Sequence, residues 1–245
     1  MWNSVARVFQ REMTGYFTTP IAYVFLVIFL SLSGVFTFNV GHFFPRGQAD
    51  LLSFFTYHPW LYLFLIPALT MRLWAEERKS GSIELLLTLP IRTVEAVLGK
   101  FFAAWCFTAI ALILTFPLWL TVNYLGNPDN GVILASYIGS LFLAGGFLAI
   151  GSCLSAVTRN QVIAFVITVT VGLGFILSGH PMILEFFNGW APVILRETVA
   201  SFSFLTHFTN IGKGVIDLRD GIYFGSLMAF WLYANVLLLE QRKGE

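Results

Sequence analysis

The chain has 245 residues, 57% of them hydrophobic, 17% aromatic and only 11% charged, with a mean hydropathy of +0.78. A soluble domain carries about 25% charged residues, so this composition is that of an integral membrane protein. A net charge of +1 and the lack of any Lys/Arg run exclude a phosphate-tracking surface, and with it nucleic acid as a partner.

The first 19 residues read as an amphipathic helix. At about 100° per residue, Trp2, Val5, Val8, Phe9, Met13, Tyr16 and Phe17 fall on one side and Asn3, Ser4, Arg7, Gln10, Arg11 and Thr14 on the other. Such a helix lies flat in the membrane interface, with Trp2, Val5 and Phe9 toward lipid and Arg11 toward headgroups and water. Glu12 breaks the pattern by landing on the apolar side. The alternative is a topogenic flank with a basic bias. The lead has no clear small-residue cleavage site, so the first apolar segment is expected to be a retained helix.

About 20 apolar residues at 1.5 Å rise cross a hydrocarbon core of roughly 30 Å. Windows of that length predict six spans, near 21–41, 54–74, 97–123, 133–157, 160–180 and 221–240. The second contains Pro59 and Pro67, which remove backbone donors and are expected to kink or interrupt it. Placing both termini in the cytoplasm puts Arg7, Arg11, Arg72, Arg78, Lys79, Arg92, Lys100, Arg159, Arg242 and Lys243 inside, against Arg46, Arg196, Lys213 and Arg219 outside. The positive-inside rule favours that orientation.

Between the second and third spans lies AEERKSGSIELLLTLP, Ala75 to Pro90. Ser80, Gly81 and Ser82 can end one helix and begin another, and Ile83 to Leu89 supplies about two turns before Pro90 stops them. Thr93 is expected to cap the next helix, with Glu95 in its first turn. From residues alone, a docking helix and an interfacial reversal loop whose leucines touch lipid are both open. In the later spans, Gly139, Gly145, Gly146 and Gly151 suit close helix packing. Cys106 and Cys153 lie in apolar segments, where a thiol packs as a small hydrophobe.

The loop at 181–220 alternates Phe186, Phe187, Trp190, Phe202, Phe204 and Phe208 with charged residues, so much of it is expected at the outer interface. It reads either as an outer gate or docking face, with Phe186, Phe187 and Trp190 at its centre, or as a simple covering loop.

Several function classes fit poorly. The spans hold no carboxylate well inside, Glu240 sitting at a cytoplasmic end and Arg72 near another, which argues against an ion-coupled transporter. His42, His58, His180 and His207 are scattered without metal-ligand spacing, so no metal site is expected. There is no G-x-S-x-G, and no G-x-x-x-x-G-K-[ST] loop to hold nucleotide phosphates, so the chain is expected to be neither an enzyme nor an ATP binder.

The run RLWAEERKSGSIELLLTLPIRTVEAVLGKFFAAW, Arg72 to Trp105, resembles the cytoplasmic segment of ABC-2 type transporter permeases, through Glu76, Glu77, Gly81, Glu84, Leu86, Pro90, Gly99 and Lys100. FSFLTHFTNIGKGVIDLRDGIYFGSLMAFWLY, Phe202 to Tyr233, resembles the gliding-motility-associated branch of those permeases. The resemblance implies an all-α, six-span domain over 1–245 of the ABC-2, type V exporter-like kind. Its parts would be an interfacial helix over 1–19, a cytoplasmic coupling helix within 75–96 and short outer re-entrant helices within 181–220. It implies a permease in the bacterial inner membrane that dimerises with itself or a related subunit. Through Glu76, Glu77, Gly81, Ser82, Glu84, Leu85 and Leu86 it would engage cytoplasmic ABC ATPases, and those would hold the ATP and Mg. An accessory membrane protein with a large extracytoplasmic domain is also implied. The expected function is an ATP-driven exporter. The alternatives are an assembly that transmits force to an envelope partner without moving cargo, or a membrane scaffold.

Overall fold

The computed structural model describes residues 2–83, 92–186, 192–215 and 217–241, together with Ile91, and among these it is helical with no strand. Helix α1 (Trp2–Thr18) precedes α2 (Pro20–Val35), which runs on through a wider turn at Phe36–Val40. Short helices α3 (Phe43–Arg46) and α4 (Leu52–Thr56) lead to α5 (His58–Thr70) and α6 (Ala75–Ser80). There follow α7 (Thr93–Ile113), α8 (Phe116–Leu125), α9 (Asn130–Val157) and α10 (Gln161–Leu177). Three short helices, α11 (Pro181–Phe186), α12 (Val193–Ser201) and α13 (Phe204–Ile211), lead to α14 (Leu218–Gln241).

Among the described residues, four segments are long and apolar enough to cross a membrane: Ala22–Val40, Thr93–Leu125, Asn130–Val157 and Leu218–Gln241. The other two expected spans are shorter. The second is divided, with α4 ending before Tyr57 and α5 opening with Pro59 in its first turn and holding Pro67 inside. Proline in a first turn costs nothing, because those N–H groups have no helical acceptor, so the break falls just before it. The fifth, Gln161–Leu177, is a 17-residue apolar helix.

Helix ends follow side-chain chemistry. Asp129 caps α9 by accepting from the backbone of Gly131 at 2.9 Å, and Asn160 caps α10 by accepting from Val162 at 2.9 Å. At α7 the cap differs from the expectation. Thr93 is already helical, and the Arg92 backbone N–H donates to Glu95 at 3.0 Å, so Glu95 closes the first turn from inside.

Helix α9 is the axis of the bundle, packed by α5, α7, α10 and α14. Its glycines permit this. A Cβ on Gly151 would stand 2.8 Å from Thr70 Cβ, and one on Gly139 would stand 2.8 Å from Ile211 Cγ2. Phe147, Leu148 and Ile150 fill the middle of the core. A smaller cluster of Leu73, Trp74, Ala96, Val97, Ala156, Val236 and Leu239 closes the end of the bundle under α6.

The amphipathic face of α1 is divided between protein and surroundings. Val5 and Val8 are buried against α7, and Tyr16 stacks on Phe107 with ring centroids 5.1 Å apart. Trp2 is 71% exposed. Burying each valine stabilises the contact by about 1.5 kcal/mol or more, so α1 is a packed element of the bundle as well as an amphipathic one.

Candidate functional site

The segment joining α5 to α7 is anchored by hydrogen bonds from residues about eighty positions away. Trp74 is fully buried, donating its backbone N–H to Ser155 Oγ at 3.2 Å and its indole Nε1–H to Ser152 Oγ at 3.1 Å. The Ala75 N–H also donates to Ser155 Oγ at 3.1 Å, and that hydroxyl donates to the Met71 carbonyl at 3.1 Å. One donated and two accepted bonds use the full capacity of a serine hydroxyl. Asn235 of α14 donates to Ser152 Oγ at 2.9 Å, and Arg78 donates to the Ala156 carbonyl at 2.6 Å. The base of α6 is therefore fastened to the end of α9 and, through Ser152, to α14.

A second set of contacts ties α6 to α1 and α7. Lys100 is 2% exposed, and its ammonium donates to Glu77 Oε1 at 2.9 Å and to Glu12 Oε1 at 3.2 Å. It also lies 5.0 Å from the centre of the Trp74 ring, within cation–π range. Arg11 donates to Glu12 at 2.6 Å and approaches Glu77 at 3.5 Å. Burial alone would raise the Glu12 carboxyl, but the Lys100 ammonium and the Arg11 guanidinium outweigh it and hold Glu12 below the ordinary carboxylate range. Burial, reinforced by the Glu12 charge, pushes the neighbouring Tyr16 phenol well up. Gly99 makes the arrangement possible, because a Cβ there would stand 2.6 Å from Val8 Cβ.

The residues assigned to the coupling segment separate in this frame. Glu76 is exposed on α6, whereas Glu77 turns inward onto Lys100. Gly81 ends α6 at φ +75°, a left-handed conformation that favours glycine, and the Ser80 and Ser82 hydroxyls lie 2.9 Å apart beside it. Glu84, Leu85 and Leu86 lie outside the described residues. Of the interfacial set, Val5 is buried, Phe9 is partly buried, and Trp2 and Arg11 are exposed.

At the opposite end of the bundle, Phe186 ends α11, and Phe187 and Trp190 lie outside the described residues. Phe204 and Phe208 are buried in the core. His207, dismissed from spacing alone, sits between two acceptors: Nδ1 is 2.6 Å from Asp220 Oδ1 and Nε2 is 2.9 Å from the Ser201 carbonyl. Tyr223 stacks on its ring and donates to the Phe202 carbonyl at 2.6 Å, which binds α12, α13 and α14 together. Among the described residues no three His, Cys, Asp or Glu converge as metal ligands.

Sequence reasoning missed Ser152, Ser155, Asn235 and the His207–Asp220 pair. Small polar residues in a glycine-rich span carry no periodic signal of their distant partners. Glu12 did carry one, as a carboxylate on an otherwise apolar face.

The family model described as ABC-2 family transporter protein matches residues 61–220, which is 160 of the 245 residues. That stretch runs from within α5, through α6 and α7 to α13, to the first turn of α14. No curated protein matches the chain.

Proposed function

The chain belongs to the ABC-2 transporter family, the membrane component of an ABC transporter, and we propose that it is the permease subunit of an ATP-driven exporter. In this reading separate cytoplasmic ATPase subunits hold ATP and Mg and dock on the segment from α6 to the start of α7. The permease has six spans, with the divided α4–α5 and the short α10 completing the four long ones. It sits in the bacterial inner membrane with both ends in the cytoplasm, and it pairs with a second permease subunit of the gliding-motility-associated type.

The observation that supports this reading is the seating of α6. A docking segment transmits motion only if its base is stiff, and α6 is held to α9 and α14 through Ser152 and Ser155 and to α1 and α7 through Lys100. A push on residues beyond Gly81 would reach those helices together as a rigid-body displacement. Co-expression with a candidate ABC ATPase followed by purification tests the reading. Retention of the ATPase and hydrolysis stimulated by the permease are expected, and a permease that emerges alone and leaves hydrolysis unchanged would overturn it.

A further inference from the structure

We propose that the cavity enclosed by α1, the start of α2 and the α5–α6 junction binds a phospholipid headgroup carrying both a phosphate and a primary ammonium. The cavity holds about 460 Å³. Its polar lining includes Tyr16, Arg72, Glu76 and Glu77, and its apolar lining includes Ala22 and Leu69.

Three of the polar groups carry buried atoms without partners. Tyr16 Oη, Arg72 Nε and Glu77 Oε2 are sequestered from solvent and make no hydrogen bond among the described residues. Buried polar atoms in native proteins are almost always satisfied, so three around one cavity point to an occupant. Their chemistry specifies it. Arg72 offers only donors, Glu77 Oε2 accepts, and the Tyr16 phenol, kept protonated by burial beside Glu12, can donate.

The charge balance narrows the choice. Lys100, Arg11, Glu12 and Glu77 Oε1 already serve one another. Arg72 and Glu76 have no ion-pair partner among the described residues and leave one free charge of each sign. A simple anion would leave the acidic side unmatched, and a simple cation the arginine. A phosphate beside a primary ammonium matches both, whereas a quaternary ammonium has no N–H for Glu77 Oε2.

The same chemistry exists in a soluble phosphate ester, but the location favours the lipid. The cavity lies where the amphipathic α1 meets the first turn of α2 and the last turn of α5, which is headgroup depth for helices of this kind. Ala22 and Leu69 give the first acyl carbons an apolar floor.

The test is native mass spectrometry of the detergent-purified full chain, titrated with phosphatidylethanolamine, phosphatidylcholine and phosphatidylglycerol of matched acyl chains, and with soluble glycerophosphoethanolamine. Phosphatidylethanolamine should bind about tenfold more tightly than the other two lipids, the ratio expected for loss of one charge-assisted hydrogen bond. Arg72→Gln should weaken all three lipids about tenfold and Tyr16→Phe, which deletes a single hydroxyl and keeps the ring on Phe107, severalfold, because each carries the phosphate these groups donate to, whereas Glu76→Gln should shrink the preference for phosphatidylethanolamine. Equal binding of all three lipids by the wild type, affinities untouched by Tyr16→Phe and Arg72→Gln, or a preference untouched by Glu76→Gln, would overturn the site. Binding of glycerophosphoethanolamine as tight as that of the lipid would overturn the lipid assignment.

Discussion

Glu12 and Lys100 are 88 residues apart in sequence and 3.2 Å apart in the structure, with the lysine almost wholly sealed from solvent. A buried ammonium is tolerated only with compensating partners, and Glu77 on the far side supplies the second. The pairing joins the amphipathic lead α1, the junction helix α6 and the long apolar helix α7 in one electrostatic unit. Removing both carboxylates, Glu12→Gln with Glu77→Gln, should strand the lysine and destabilise the protein by about 3–5 kcal/mol. Adding Lys100→Met should recover much of that loss, because a neutral side chain of similar length has no charge to bury. Denaturant melts of the three proteins in detergent check this, and no recovery in the triple variant would show that packing outweighs charge at this position.

The same unit should loosen in acid. An unperturbed glutamate titrates near 4.5, and Glu12 lies below that when folded. The folded state therefore holds its proton less tightly than the unfolded one, and the stabilisation is complete at neutral pH. It falls away as pH drops below 4.5 and through the folded-state value. Protease accessibility of α1 should rise over that range in the wild type. Glu12→Gln should already be more accessible at pH 7 and change less on acidification.

Gly99 is the steric counterpart of this electrostatic link. Gly99→Val places a Cβ where Val8 already stands, and overpacking of this sort costs about 1–3 kcal/mol. The expected result is displacement of α1 with the spans intact. A cysteine at Val8 should then react with a maleimide several times faster than in the Gly99 background, while helical content measured by circular dichroism stays unchanged.

What could be read in the sequence follows from the range of the forces involved. The amphipathic wheel of α1, the apolar windows, the disruption of the second span by prolines and the glycine at the end of α6 are local, and each shows in a few consecutive residues. The contacts of Ser155 with Trp74 and of Asn235 with Ser152 join residues about 80 positions apart, and periodicity carries no information about them. Glu12 is the intermediate case. Its place on an apolar face breaks the pattern visibly in the sequence, but only the fold supplies Lys100 as the reason. The same holds at the other end, where His207 and Asp220 are close in the chain yet meet only because α13 folds back on α14.

Orientation has its own test. Asn127 is exposed in the turn between α8 and α9, and Ser82 follows α6 at the other end of the bundle. With both termini inside, a cysteine at Asn127 should react with an impermeant reagent from outside intact cells, and one at Ser82 only after the membrane is opened. The reverse pattern would invert the topology and remove the segment around α6 from reach of any cytoplasmic ATPase.

The docking proposal depends on choosing residues whose side chains are free to dock. Glu77 is a poor choice, since Glu77→Lys would set two ammonium groups against each other in the Lys100 pocket and disturb α6 from within. Glu76 is exposed on the same helix and makes no ion pair among the described residues, so Glu76→Lys leaves the Lys100 unit in place and reverses charge only at the surface and at the mouth of the cavity beside Arg72. A reversal at a rim is expected to cost about 1 kcal/mol or less and to act mainly on association rate and salt dependence. Leu86→Asp attacks the apolar part of the proposed contact, where loss of roughly 1.5–3 kcal/mol of burial weakens binding about tenfold or more. Both variants should insert and melt like the wild type, because Glu76 takes no part in the Lys100 unit or the Ser152–Ser155 anchor and Leu86 falls in the proposed docking segment after α6. ATPase retention on purification and stimulated hydrolysis are the quantities to measure, with Asn127→Asp as the control at the opposite end. Reduced retention for Leu86→Asp with a smaller, salt-sensitive effect for Glu76→Lys is the expected result. Full retention and full stimulation in both would leave the segment after α6 as a reversal loop and place the ATPase contact elsewhere.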